Sequence, residues 1–265
     1  MMEAGHALLE GHGISLSFGG LKVLKGLDVE FRAGEITGLI GPNGAGKTSL
    51  FNCLTGAYRP QGGSIAYAGE PLDGLSPSAR AHKGIVRSFQ TVALCPDLTV
   101  AENVMMGLAR NYHAGWLDAF LPLPRGRRER EDMRAAAVRA LADFGLGDAA
   151  DLLPGQLPPG MQRLVEIARA VVGRPRVLLL DEPAAGLNNA ETRELTRALK
   201  ALSSPDLVMV VVEHDMDLVM SICDRIYVLN FGERVACGTP EAIRRDPQVI
   251  SIYLGSDEDE PAHGQ

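Results

Sequence analysis

Residues Gly41-Pro42-Asn43-Gly44-Ala45-Gly46-Lys47-Thr48-Ser49 restrict the fold of this chain more than any other stretch. They fit the pattern G-x-x-x-x-G-K-[ST], which carries its meaning only where a strand runs into a helix. That context is present: Glu35 to Ile40 reads as a buried strand, and Lys47 to Leu54 has helical spacing. Glycines let the backbone curl so that successive N–H groups point inward at phosphate oxygens. The helix starting near Lys47 adds the partial positive charge of its N-terminus. Lys47 supplies a full charge for β- and γ-phosphates, and the Thr48 hydroxyl is a natural Mg²⁺ ligand. Gly41 to Ser49 are therefore candidate nucleotide-binding residues.

Many nucleotidases carry such a loop, so the second half of the chain decides. Val177-Leu178-Leu179-Leu180-Asp181-Glu182 reads as a buried strand that ends in adjacent carboxylates. A carboxylate after such a strand holds Mg²⁺ in phosphate-loop enzymes, which is the role expected of Asp181. Glu182, one position later, is placed to polarise water as a general base.

Around these motifs the chain alternates strand and helix. Ala7 to Phe31 reads as antiparallel strands and turns, and Ser64 to Gly69 as another exposed strand. Strands are predicted at Val177–Leu180, Leu207–Val212 and Ile226–Asn230, with helices at Ala190–Leu202 and Met216–Cys223. Near-continuous Val/Leu strands alternating with helices indicate a parallel sheet covered on both faces. Between about 97 and 172 the pattern turns helical, with a capped start at Thr99 and a helix over Arg127 to Phe144 stopped by Gly145. Trp116 to Arg130 reads as a loop or short helical hairpin, and its basic run Arg125 to Arg128 as a solvated loop more often than a contact for a partner or lipid headgroups. The predicted architecture is an α/β phosphate-loop core with a mostly parallel sheet, an antiparallel β subdomain and an inserted helical lobe. The main domain spans 7–255, and 256–265 is an acidic, disordered tail.

A net charge of −7 argues against a surface built to hold nucleic acid. No apolar run approaches the ~18 residues of a membrane span, and the first ten residues lack a signal-peptide pattern. The chain is expected to be cytosolic, with any membrane association made through a partner. Cys53, Cys95, Cys223 and Cys237 have no C-x-x-C spacing and read as ordinary thiols in a reducing compartment.

These motifs, over residues 7 to 255, resemble the ABC ATPase family, whose phosphate loop is typically spelled GPNGAGKT. The resemblance implies ATP and Mg²⁺ as ligands and assigns further roles. Gln90, in Arg87-Ser88-Phe89-Gln90, matches the glutamine that reaches Mg²⁺ and couples to membrane subunits. His214 matches the histidine that senses the γ-phosphate, and Asn188 falls in the loop that crosses a dimer interface. Phe18 matches the aromatic that stacks on adenine. Within the family, Glu166-Ile167-Ala168-Arg169, Asp181 to Asn188, Glu213-His214-Asp215-Met216 and the ending Tyr253-Leu254-Gly255 are similar to the branched-chain amino acid importer ATPases.

One motif departs. The family's L-S-G-G-Q signature, which completes the ATP site of a partner, stands here as Leu157-Pro158-Pro159-Gly160-Met161. The serine position is Pro158 and the final glutamine is Met161. The implied assembly has a second ABC ATPase subunit, identical or different, two transmembrane permease subunits and, indirectly, a solute-binding protein. It sits on the cytoplasmic face of the cell membrane and imports branched-chain amino acids or related small polar solutes. Alternative readings are a lipopolysaccharide-export-type ATPase and a non-transport or regulatory ABC ATPase. Glu182 and His214 count against a regulatory module, and the proline pair counts for one.

Overall fold

The computed structural model describes residues 7–88, 93–111 and 124–254. Two sheets organise it. β1 (Ala7–Phe18) and β2 (Leu21–Arg32) form a long antiparallel hairpin, to which β4 (Gly62–Tyr67) and the short β5 (Glu70–Pro71) add in the order β2-β1-β4-β5. The second sheet contains β3 (Ile36–Ile40), β6 (Ile85–Arg87), β7 (Val177–Asp181), β8 (Val208–Val212), β9 (Arg225–Asn230) and β10 (Glu233–Gly238). Its order is β10-β9-β3-β8-β7-β6, parallel throughout except for the antiparallel edge strand β10.

Strand alternation divides the core in two. Leu178, Leu180, Met209, Val211, Ile226 and Val228 face one hydrophobic cluster, shared with the helices that follow β6. Val177, Leu179, Val208, Val210, Val212, Tyr227 and Leu229 face the other, shared with the antiparallel sheet and helix α1 (Lys47–Thr55). A parallel strand covered on both sides needs apolar residues at consecutive positions. All five positions of β7 and all five of β8 are buried. Each fully buried Leu or Val contributes about 1.5–3 kcal/mol relative to exposure.

After β3 and α1 come α2 (Pro77–His82) and β6. The chain then forms α3 (Val100–Met105), α4 (Pro124–Asp143) and α5 (Pro159–Val171) before returning to the sheet at β7. Thr99 and Glu102 form a reciprocal capping box on α3, as the sequence suggested. The Arg-, Glu- and Ala-rich stretch differs from expectation in where it begins. Its helix starts at Pro124, so Arg125 to Arg128 lie in the first turns of α4 and not in a loop. Proline has no N–H to forfeit in a first turn, and past Gly126 the run Arg127 to Glu131 consists of good helix formers. The rest of the expected loop, residues 116–123, lies outside those described. α6 (Asn189–Leu202), α7 (Met216–Ile222), α8 (Pro240–Arg245) and α9 (Pro247–Leu254) complete the fold. Among the described residues no helix is long and apolar enough to cross a membrane.

Candidate nucleotide-binding and catalytic site

In the parallel register, Val212 of β8 lies level with Leu39 of β3 on one side and Asp181 of β7 on the other. Gly41, Glu182 and His214 follow within two residues of these positions. Three parallel strands thus deliver the phosphate loop, the carboxylate pair and the histidine to the same edge of the sheet, the edge where open α/β sheets bind ligands.

Between β3 and α1 the loop turns through positive φ at Gly41 (149°) and Gly46 (104°). Neither tolerates a side chain. A Cβ on Gly41 would lie 2.1 Å from the Leu229 carbonyl oxygen, and one on Gly46 would lie 2.9 Å from Leu24. Residues 43–49 line a cleft of about 180 Å³ together with Val23 and Glu182. Lys47 is buried and its ammonium donates to the carbonyls of Gly41 (2.6 Å) and Pro42 (3.1 Å). Burial lowers its pKa, against the opposing charges of Glu182 and Asp181. Thr48 is exposed towards the cleft. Phosphate groups fit this loop: amide-rich backbone, an ammonium and the start of α1 converge on a space where, among the described residues, Glu182 is the one carboxylate in the lining.

Asp181 is buried, and its carboxylate is held by the Arg87 guanidinium at 2.5 Å. Arg87 also donates to the Asn52 amide oxygen and lies over the Phe51 ring. No role for Arg87 was assigned from sequence, because an arginine ending a short strand has no distinctive spacing. Glu182 is one of the few non-glycine residues with a left-handed backbone, at φ 45°. Its N–H donates to Val212, and its carbonyl accepts from Ala185 N–H and from Arg163 (3.1 Å). Such a backbone persists only where surrounding contacts hold it, and these residues cluster at functional sites.

His214 is exposed, and its N–H donates to the carboxylate of Glu213. Glu213 is fully buried and also accepts from Ala184 N–H at 2.7 Å, so it ties the loop after β8 to the loop after β7. Burial raises its pKa, with the backbone N–H bonds opposing. Asn188 caps α6 through its side-chain oxygen, which accepts from the N–H groups of Ala190 and Glu191. Glu191 Oε2 accepts in return from the Asn188 N–H at 2.9 Å, a reciprocal cap that the sequence reading of Asn188 as part of an interface loop did not include.

At the variant signature, Leu157 is buried, Pro158 occupies the N-cap of α5 and Pro159 its first turn. The helix therefore begins before Met161. Gly160 N–H donates to Glu191 Oε1 at 3.1 Å, and a Cβ at Gly160 would meet that carboxylate at 2.7 Å. Met161 is partly exposed. Phe18 is half exposed, and the edge of its ring meets Tyr58 with centroids 5.2 Å apart, so it is no part of the core. Gln90 lies outside the described residues.

The fold and this cleft define a nucleotide-binding ATPase. A family model described as "ABC transporter" matches residues 24–185, and the chain belongs to that family, whose ATP-binding subunits hydrolyse ATP to drive transport. A second model, for branched-chain amino acid ATP-binding cassette transporters, matches residues 233–259. The chain is 43% identical to the high-affinity branched-chain amino acid transport ATP-binding protein BraF of Pseudomonas aeruginosa, over 94% of this chain and 98% of BraF. It is 44% identical to LivG of Escherichia coli, a protein of the same description, with the same coverage. Among solved structures, the ADP conformation of an ABC transporter's ATP-binding cassette superposes with a TM-score of 0.81 at 28% identity, covering 94% of this chain and 99% of that one. A dimeric post-hydrolysis cassette bound to ADP and Pi matches with a TM-score of 0.72 at 25% identity, over 88% of this chain and 98% of that one.

Proposed function

We propose that this chain powers an importer of branched-chain amino acids or related small polar solutes, docked on permease subunits at the cytoplasmic face of the cell membrane. The observation that carries the reading is identity above 40% across nearly the full length of relatives so described, together with the match at 233–259.

In the proposed reaction, Gly41 to Ser49 hold the ATP phosphates and Phe18 stacks on adenine. Glu182 takes a proton from water as its oxygen forms a bond to the γ-phosphorus, and the bond to the β-γ bridging oxygen breaks to release ADP. Mg²⁺ would be held by Thr48, Asp181 and Gln90, neutralising charge on the phosphate oxygens. Hard oxygen donors suit that ion. His214 senses the γ-phosphate, and Glu213 ties its loop to the one carrying Glu182.

Two cassettes would close on ATP, each phosphate loop facing the other's signature, with Asn188 near the seam. Of the opening positions of α5, Pro158 and Pro159 carry no N–H and that of Gly160 is directed to Glu191. These losses favour a different ATPase as partner, with the fast site formed by this chain's phosphate loop and the partner's signature. Lys47→Ala should then abolish turnover of the pair while the equivalent change in the partner is better tolerated; equal losses would argue for symmetric sites.

The cargo is tested by co-reconstituting the chain with its genomically adjacent permeases and solute-binding protein. Leucine, isoleucine or valine should raise ATP hydrolysis in the presence of that binding protein. Stimulation by urea or an amide alone would reassign the cargo.

A further inference from the structure

Past the last rung of the parallel sheet, the loops carrying Glu182 and His214 are joined twice. The ladder pairs Asp181 with Val212, and the Glu182 N–H extends it by donating to the Val212 carbonyl at 2.9 Å. Pro183 has no N–H to offer. The next N–H, that of Ala184, donates at 2.7 Å to Oε1 of Glu213, a side chain of the loop after β8. Glu182 therefore sits between two fixed amides, and its carbonyl closes a turn by accepting from Ala185 N–H at 3.1 Å. The second oxygen of Glu213 serves its own loop. Oε2 accepts from His214 N–H at 3.2 Å, and the Asp215 N–H bonds to the same carboxylate. Asp215 in turn caps α7 by accepting from Leu218 N–H at 3.0 Å. One carboxylate thus holds both the Pro183–Ala184 peptide and the peptide that carries the histidine.

Glu213 is 1% exposed, and among the described residues its partners are main-chain N–H groups, not a lysine or arginine. Burying a carboxylate without a cation is unfavourable, since hydrogen bonds replace only part of its hydration. A neutral amide could tether one loop with a smaller loss of hydration. What it cannot do is accept in both directions. Glutamine has one oxygen, and its NH2 group would face the N–H of the other loop, donor against donor. The carboxylate is therefore explained by the need to hold both loops at once. The two loops differ in what they meet: Glu182 lines the phosphate cleft, whereas His214 is exposed at the sheet edge.

We infer that Glu213 is a positioning residue that couples His214 to Glu182, so that contact of the histidine with a γ-phosphate fixes the general base through the Pro183–Ala184 peptide. The inference rests on the roles proposed above for His214 and Glu182. Among the described residues none of the Glu213 bonds involves the phosphate loop, so ATP binding is left alone.

The test compares the full chain carrying Glu213→Gln, His214→Ala or both, by hydrolysis of ATP with Mg²⁺ and by thermal unfolding. In folded Glu213→Gln kcat should fall ~10–100-fold, as misplacement of a reacting group by about an ångström does. KM for ATP should hardly move. A residue that only stabilised the fold would lower the melting temperature and leave kcat of the folded protein alone. Because the two residues act as one unit, the double variant should be about as slow as the slower single variant, instead of losing the product of the two effects. A loss carried by KM, wild-type kcat in folded Glu213→Gln, or losses that multiply overturn the inference. Wild-type turnover in His214→Ala refutes the sensor role itself and the coupling with it. A slow His214→Ala beside a fast Glu213→Gln leaves that role standing and overturns only the coupling. Should Glu213→Gln not fold, hydrogen exchange decides. A non-hydrolysable ATP analogue should slow exchange of the 182–187 amides in wild type but not in His214→Ala, where the altered side chain is exposed. Equal slowing in both proteins overturns the inference.

Discussion

Replacing Glu182 separates its chemistry from its backbone. Glutamine has the same shape, adopts the same left-handed φ of 45° at the same cost, and keeps the main-chain bonds to Val212, Ala185 and Arg163. Glu182→Gln should therefore melt within a degree or two of wild type, corresponding to less than about 0.5 kcal/mol. It cannot accept the proton from water, so turnover should fall ~10²–10⁴-fold, or about 3–5 kcal/mol on the barrier. Glycine removes the carboxylate too but relieves the strain of a positive φ, about 1–2 kcal/mol. Against that stands about 0.5–1 kcal/mol for the greater freedom glycine has in the unfolded chain. Glu182→Gly should then be neutral to slightly stabilised, with a melting temperature up to roughly 2–4 °C higher. The assays are single-turnover hydrolysis of labelled ATP, nucleotide binding and a thermal melt. Wild-type hydrolysis in Glu182→Gln would refute the assignment of the base. A Glu182→Gly protein that melts well below wild type would refute the claim that this backbone is strained.

Other perturbations probe the surroundings. Arg87→Ala leaves the buried Asp181 carboxylate without its cation and should destabilise by up to about 3–5 kcal/mol, read from denaturant titration. Stability within experimental error of wild type would deny that the pair matters. Gly41→Ala places a Cβ 2.1 Å from the Leu229 carbonyl oxygen at φ 149° and should abolish ATP binding or folding, seen by equilibrium dialysis and circular dichroism. Burial pushes the Cys53 thiol up to about 11 and that of Cys223 up to about 12, whereas Cys237 is exposed. Alkylation of the native protein at about pH 8 should thus mark Cys237 and spare Cys53 and Cys223 by mass spectrometry, because only thiolate reacts.

Local chemistry was legible without the fold. The phosphate loop needs its glycines, lysine and threonine at set spacing whatever surrounds them, and Asp181-Glu182 at the end of an apolar strand points to the edge of a sheet. The consecutive apolar residues Val177 to Leu180 and Val208 to Val212 indicate a parallel sheet, because a strand covered on both faces has no solvent side for polar residues. The cap at Thr99 is also local, since its partner lies three residues away. Tertiary structure decided what depends on distant chain segments. Arg87 meets Asp181 across 94 positions and Gly160 meets Glu191 across 31. No periodicity links such residues, because a buried charge takes its partner from whichever element packs against it. The left-handed conformation of Glu182 belongs to the same class: glutamate has no local preference for it. Only the contacts with β8 and α5, delivered by the assembled sheet and its covering helix, can impose it.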